Sequence, residues 1–137
     1  MRYLGLDLGS KTLGVAISDK TGTIARSLEI IRHNEDYDSL IPKVKEIVEE
    51  YKVDAIVLGY PKNMDNSVGY KAKLSEEFKQ KLENEINIPV YLQDERLSTK
   101  EATDLLIKND TSRKKRKKVI DSMAACIILE TYLNRKG

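Results

Sequence analysis

Two runs of alternating residues near the start of the chain constrain its fold most tightly. In residues 4–8 every second residue is a leucine. In residues 13–17 every second residue is leucine, valine or isoleucine, and a short polar segment connects the two runs. A period of two is typical of β-strands, and two such runs with a short connection predict a β-hairpin. Residues 24–31 follow a further turn signal and predict a third strand. The chain therefore opens with an antiparallel three-stranded meander.

The rest of the chain shows helical and extended patterns in turn. Apolar residues recur at helical spacing in 37–51, whereas 53–58 is an almost fully apolar run, typical of a strand covered on both faces. The remaining predicted elements are a helix from Ser67 to Leu82 or beyond, a strand over 88–93, and helices over 98–107 and 119–133. This order predicts an α/β fold: a single domain over residues 1–137 with a mixed sheet flanked by helices.

The composition argues against secreted, disulfide-rich and membrane-spanning proteins. The one cysteine, Cys126, can form no internal disulfide, and we expect it to pack within the last helix. The longest uninterrupted apolar run, residues 123–129, is far shorter than the roughly 20 residues that a membrane helix needs. Asp7 comes too early for the apolar core of a signal peptide. We therefore expect a cytoplasmic protein in a reducing compartment, with no membrane partner.

A run of six basic residues dominates the charge distribution. It consists of Arg113, Lys114, Lys115, Arg116, Lys117 and Lys118. The chain has 24 Lys and Arg against 22 Asp and Glu, a net charge of +2, and without this run the net charge would be −4. A basic segment on a slightly acidic body favours a polyanionic partner, and the alternative is a solvated loop that binds nothing.

Three acidic positions lie where a sheet of this kind binds ligands. Asp7 lies near the end of the first strand, on the face opposite the leucines, and the Asp94-Glu95 pair follows the last strand. Strand alternation favours only one member of that pair in a shared site and does not say which. Asp121 shares a helix face with small and apolar residues. Taken singly, the acids also fit a turn-stabilising aspartate, a loop salt bridge and a helix cap.

Taken together, the acids favour a divalent metal site. The carboxyl ends of the strands form the edge where open α/β sheets bind ligands. Carboxylates without accompanying cysteine or histidine favour Mg²⁺ or Mn²⁺, and two such ions activate water for phosphodiester hydrolysis. This chemistry requires no histidine base, and we expect His33, the one histidine, at the surface and far from the acids. The Asp7 hairpin also fits a phosphate-binding ATPase, although 137 residues hardly supply its two lobes.

Residues 5–16, 59–65, 94–99 and 119–129 resemble, in this order, four motifs of the bacterial pre-16S rRNA nucleases, also called Holliday junction resolvase-like proteins. The resemblance extends over essentially the whole chain. It implies a ribonuclease H-like fold, with a five-stranded mixed sheet in the order 3-2-1-4-5. It also implies a metal-dependent nuclease that matures the 5′ end of 16S rRNA, with Asp7, Glu95 and Asp121 as catalytic residues and metal ligands. The family pattern, and not strand alternation, selects Glu95 over Asp94.

Further residues are candidates for binding a nucleic-acid substrate. We expect phosphate contacts from Lys11, Arg96 and the basic run 113–118, and such contacts position a strand without reading its sequence. Asn63 is expected to reach the substrate from its loop. The expected partner is structured RNA, including ribosomal precursor particles, or branched DNA. Junction resolvases that resemble this fold carry their second acid at the end of the fourth strand, where this chain has Gly59. The alternatives are a four-way DNA junction resolvase and a catalytically silent RNA-binding module, and the sequence leaves the oligomeric state open.

Overall fold

The computed structural model describes residues 1–9, 11–60, 69–94 and 113–136, and it leaves undescribed the side chains at 70, 71, 94, 113–123 and 136. The strands are β1 (Tyr3–Leu8), β2 (Thr12–Ser18), β3 (Ala25–Arg32), β4 (Ala55–Tyr60) and β5 (Val90–Asp94). The helices are α1 (Leu40–Tyr51), which follows a 3-10 turn over Tyr37–Ser39, α2 (Tyr70–Glu85) and α3 (Arg113–Lys136). The predicted helix over 98–107 and the predicted helix start at Ser67 lie outside the described residues.

The five strands form one mixed sheet in the order β3-β2-β1-β4-β5. β2 pairs antiparallel with both β1 and β3, whereas β4 pairs parallel with both β1 and β5. The predicted meander and the predicted strand order are therefore confirmed. Because β1, β4 and β5 run in the same direction, their carboxyl ends meet at one edge of the sheet.

The alternation in the strands divides the hydrophobic core into two clusters, one on each face of the sheet. The first cluster contains Leu4 and Leu6 together with the apolar residues of α1 and α2. The second contains Tyr3 and the buried residues of α3. All six residues of β4 are buried, as expected of a strand covered on both faces. Because the leucines of β1 belong to the first cluster, the opposite side of that strand faces α3.

Gly5 permits α3 to cross β1 at a very short distance. A Cβ built on Gly5 would lie 2.8 Å from the Cβ of Leu129 and 2.9 Å from the carbonyl oxygen of Ala125, closer than real Cβ atoms approach their neighbours. Farther along the helix, the ring of Tyr132 lies 5.8 Å from the ring of Tyr3. The later part of α3 therefore lies beside the start of β1, and the helix runs antiparallel to the strand.

Two helices begin elsewhere than predicted. Residues 37–39 form a 3-10 turn, in which the Asp36 carboxylate accepts a hydrogen bond from the backbone N–H of Ser39, and α1 follows from Leu40. The prediction that the last helix begins at 119 is wrong, because α3 begins at Arg113 and includes the whole basic run. Lysine and arginine are good helix formers, so a change in charge does not mark a helix boundary.

A helix that spans a membrane must be both long and predominantly apolar. None of the described helices combines the length and the apolar character needed to cross a membrane. α3 has 24 residues, but its mean hydropathy is low because the basic run occupies its first turns.

Candidate active site

Asp7 lies one residue before the end of β1, on the face that α3 covers. Its neighbours Leu6 and Leu8 belong to the opposite core, as the sequence predicts. Asp7 is half-buried, and its register partner on β2 is Gly14, which has no side chain. The carboxylate therefore lies at the ligand-binding edge of the sheet, with no bulky group at its register position on the adjacent strand.

On the other side of Asp7, β4 and β5 place Gly59 and Gln93 at the same level. β1 and β4 are paired up to the residues directly before Asp7 and Gly59, and Gly59 pairs with Gln93. Neighbouring strands lie about 4.8 Å apart, so roughly 10 Å separates the Asp7 and Gln93 backbones, with only a glycine between them. Gln93 is 4% exposed and shares its face with Tyr91, whose ring stacks on Tyr132 of α3. Gln93 therefore faces the same side as Asp7.

The direction of α3 carries position 121 toward the same edge. Ala125 lies against Gly5, and Asp121 is one turn earlier on the same helix face, about 6 Å along the axis. Asp7 is two residues beyond Gly5, about 7 Å along the strand. Because the helix and the strand are antiparallel, these two steps go in the same direction. The backbone at position 121 therefore reaches the level of Asp7, while its side chain is outside the described residues.

Hydrogen bonds hold the connection between β1 and β2 from two sides. The Gly9 N–H donates to the carbonyl oxygen of Thr12 at 2.8 Å. The backbone N–H of His33, just after β3, donates to the carbonyl oxygen of Lys11 at 2.8 Å, and His33 Nε2 lies 2.9 Å from the carbonyl oxygen of Gly9. The prediction that His33 lies at the surface far from the acids is wrong. Because Thr12 of β2 pairs with Arg32 of β3, the half-buried His33 lies beside the connection between β1 and β2, residues 9–11.

Several predicted site residues cannot be placed in this geometry. Asn63, Glu95 and Arg96 lie outside the described residues, and the basic run 113–118 is described in its backbone alone. Lys11 is described, and its side chain is exposed. Among the side chains that the structure does describe, no three histidine, cysteine, aspartate or glutamate residues form a group that could hold a metal ion.

Cys126 of α3 and Tyr60 of β4 have raised pKa values. Burial raises the pKa of the Cys126 thiol to about 11, and the Glu130 carboxylate adds to the effect. A thiol with this pKa is protonated at neutral pH and is not a nucleophile, and Cys126 packs against the second core as predicted. The pKa of Tyr60 is raised because its O–H donates to Glu76 Oε1 at 2.7 Å. This bond joins β4 to α2, on the face opposite Asp7.

The sequence indicates for neither Gln93 nor His33 that it lies at the same edge of the sheet as Asp7. The signal for Gln93 is a polar residue that shares the alternation of Tyr91 at the end of a buried parallel strand. No local sequence pattern indicates that His33 lies at this edge of the sheet. Its position depends on the register between β2 and β3, which brings residues from distant parts of the chain together.

A family model described as RuvX, Holliday junction resolvase, matches residues 1–135 of the chain. The chain is 53% identical over 137 residues to a protein of Geobacillus sp. (strain WCH70), and the aligned region covers 99% of each. It is 51% identical over 135 residues to a protein of Bacillus subtilis (strain 168), and the aligned region covers 98% of each. Both relatives carry the name "Putative pre-16S rRNA nuclease". These matches confirm the resemblance seen in the four sequence motifs.

Two solved structures have a similar fold. The RuvC structure of Thermus thermophilus aligns with a TM-score of 0.59 and 18% identity, over 100% of this chain and 97% of that chain. The fowlpox virus Holliday junction resolvase aligns with a TM-score of 0.58 and 16% identity, over 98% of this chain and 99% of that chain. At such identities the similarity concerns the fold alone. It agrees with the predicted ribonuclease H-like arrangement, in which helices flank a five-stranded mixed sheet.

Proposed function

The chain belongs to the RuvX family, and from this premise we propose that it is a divalent-metal-dependent nuclease that matures the 5′ end of pre-16S rRNA in the cytoplasm. The observation that carries the proposal is the antiparallel packing of α3 on β1, which brings position 121 to the level of Asp7. The names of relatives that share more than half of their residues with this chain support the choice of substrate.

Asp7, Glu95 and Asp121 are the proposed catalytic acids. Asp7 faces α3 at the carboxyl edge of the sheet, and the course of α3 supports Asp121 as its neighbour. The alternation along β5 supports Glu95 over Asp94. Gln93 shares the face of Asp7, and in an extended chain the next position on that face is 95.

The described part of the site fits a hard divalent cation such as Mg²⁺ or Mn²⁺. The proposed donors are carboxylate oxygens, which these ions prefer, and the one cysteine, Cys126, is protonated at neutral pH. Gly14 and Gly59 flank Asp7 in the register and bring no side chain into the space beside it. A metal ion bound there would supply an activated water molecule and neutralise the charge on the leaving oxygen.

Lys11 and Arg96 are proposed to hold the phosphates at or next to the bond that is cut, and Asn63 is proposed to contact the substrate. Lys11 lies in the connection between β1 and β2, and its exposed side chain is accessible to a substrate. Lysine and arginine contacts to phosphates fix the position of a strand without reading its bases. These residues would therefore orient the RNA, and the acids would carry the chemistry.

The basic run occupies the first turns of α3, and the helix gives it a defined face. At 100° per residue, Lys114, Lys117 and Lys118 share the face of Asp121, whereas Lys115 and Arg116 do not. Cations are unfavourable near a helix N-terminus because the helix dipole is positive there, and this first turn contains no acid. A phosphate backbone bound along the face of Asp121 would neutralise these charges. The basic face is therefore the proposed contact for RNA that flanks the site.

Cleavage of labelled precursor 16S rRNA in Mn²⁺ tests the proposal. We expect Asp7→Asn and Glu95→Gln to lower the rate by about 100-fold or more, because each removes a proposed metal ligand. Asp94→Asn is the matched control, since it removes the adjacent carboxylate and is expected to change the rate only a few-fold. Unchanged cleavage by the Asp7→Asn variant would refute the proposed site.

A four-way DNA junction is the second candidate substrate. The description of the family model favours it, as does the similarity of fold to RuvC. Rates on junction DNA and on precursor rRNA, measured with the same preparation, decide between the two, and faster, symmetrical cutting of the junction would favour DNA. If the wild-type protein binds RNA but cuts neither substrate in Mg²⁺ or Mn²⁺, it is an RNA-binding module and the nuclease proposal is wrong.

A further inference from the structure

His33 joins separate parts of the chain at the edge that carries Asp7, although the proposed chemistry gives it no role. Its backbone extends the pairing of β2 and β3 by one hydrogen bond, to the carbonyl oxygen of Lys11. Its side chain then reaches across to the carbonyl oxygen of Gly9. The ring of Tyr37 covers the imidazole, with 5.2 Å between ring centroids. One residue thus contacts both sides of the β1–β2 connection.

The partners of the imidazole determine where its proton lies. The Gly9 carbonyl can only accept, so Nε2 must carry a hydrogen and donate it. The backbone N–H of Glu35 donates to Nδ1 at 3.1 Å, so Nδ1 must be unprotonated. Glu35 has a φ of 63°, which is uncommon for a residue other than glycine, and this hydrogen bond helps to hold it there. Both ring nitrogens are therefore used, and only one ring orientation satisfies both partners.

We propose that His33 is a positioning residue of the nuclease site, which fixes the Gly9 carbonyl and thereby the chain between Asp7 and Lys11. This inference rests on the proposed function. Gly9 lies two residues from the proposed metal ligand Asp7, and Lys11 is the proposed phosphate contact on the other side of the connection. Loss of the bond to Nε2 frees the Gly9 carbonyl, so both groups lose a shared support. A displacement of about 1 Å in an active site can lower a rate about 100-fold.

Three substitutions separate the two hydrogen bonds of the ring. His33→Gln places an amide nitrogen near the position of Nε2, so it can still donate to the Gly9 carbonyl. His33→Asn places an amide oxygen near the position of Nδ1, so it can accept from Glu35 but is too short to reach Gly9. His33→Phe keeps the ring contact with Tyr37 and removes both hydrogen bonds. Comparison of His33→Gln with His33→Asn therefore tests the bond to Gly9 with two amide side chains that differ mainly in length.

The kinetic measurement is kcat and KM for cleavage of precursor rRNA. We expect His33→Asn and His33→Phe to lower kcat about 10- to 100-fold with KM within about threefold of wild type. His33→Gln is expected to keep kcat within about threefold of wild type. Asp19→Asn, in the β2–β3 turn at the opposite edge of the sheet, controls for lost stability and should leave kcat unchanged.

Hydrogen exchange of the Gly9 amide provides a second measurement that does not depend on cleavage. This amide donates to Thr12 inside the connection, so its exchange rate reports whether the connection is held. We expect faster exchange in His33→Asn and His33→Phe and a wild-type rate in His33→Gln. If the wild-type protein does not cut RNA, the proposed function fails, and unchanged exchange in all three variants would separately overturn the role of His33. Losses of kcat that follow the melting temperature, whichever hydrogen bond is kept, would also overturn it.

Discussion

Replacing Gly5 by alanine probes the close packing of α3 on β1. The new Cβ would lie 2.8 Å from the Cβ of Leu129, and an ordinary contact of about 3.8 Å requires a movement of about 1 Å. Overpacking of this kind costs about 1–3 kcal/mol, whereas alanine for glycine at an unstrained position stabilises a protein by about 0.4–1 kcal/mol. The sign of the change in unfolding free energy is therefore diagnostic. We expect the Gly5→Ala protein to be less stable than wild type by about 1–3 kcal/mol.

Urea unfolding followed by far-ultraviolet circular dichroism measures this change, and Leu129→Ala provides the control. Leu129 is fully buried, so its truncation alone should cost about 2–5 kcal/mol. It leaves the two closest contacts in place, because the atoms within 3 Å of the added Cβ are the Cβ of Leu129 and the backbone oxygen of Ala125, and both remain in the variant. Because positions 5 and 129 are in direct contact, the loss of the double variant is expected to differ from the sum of the two changes by about 0.5–3 kcal/mol. A Gly5→Ala protein as stable as wild type, or more stable, would refute the packing argument.

Two further predictions concern charge. Replacing Lys114 and Lys117 by glutamine should reduce the slope of log K for RNA binding against log salt by about 2, whereas replacing Lys115 and Arg116 removes the same charge and should change the slope little. Equal slopes for the two pairs would contradict the assigned helix face. In the β2–β3 turn, hydrogen bonds from a side-chain hydroxyl and two backbone N–H groups hold the pKa of Asp19 at about 2. Its charge therefore stabilises the fold above the unfolded pKa of about 3.9, and this contribution is lost as the pH falls through about 2. In thermal melts, we expect Asp19→Asn to have a lower melting temperature than wild type at pH 7, and this difference should become smaller between pH 4 and pH 2. A difference that does not change with pH would contradict the stabilising role of the Asp19 charge.

The sequence predicts the strands and their faces well because alternation is a local signal. Leu4 and Leu6 alone indicate which side of β1 is apolar, and Asp7 then falls on the other side without further information. The strand order 3-2-1-4-5 is different, since it depends on long-range pairing and came from the family resemblance. The structure confirms both, but only the first follows from the residues themselves.

The failures of prediction have physical causes of the same kind. His33 lies in a polar segment, and only its register with β2 brings it to the connection after Asp7. α3 begins before the predicted start at 119 because lysine and arginine propagate a helix although their charge opposes its dipole. Alternation alone does not distinguish Asp94 from Glu95, because it does not assign Gln93 to a face. That assignment needed the stacked rings of β5 and α3.

β3 lies at one end of the described sheet, so its outer edge pairs with no strand of the described residues. An outer strand can pair with a further chain, and exposed apolar side chains would favour such pairing: Ile30 of β3 is 41% exposed, and Ile24, just before β3, is 67% exposed. Arg26, Glu29 and Arg32 are exposed on the same strand. An added chain would have to desolvate these charges, which opposes the stacking of copies into fibrils. The distribution of charge on β3 should therefore help the protein remain dispersed at high concentration.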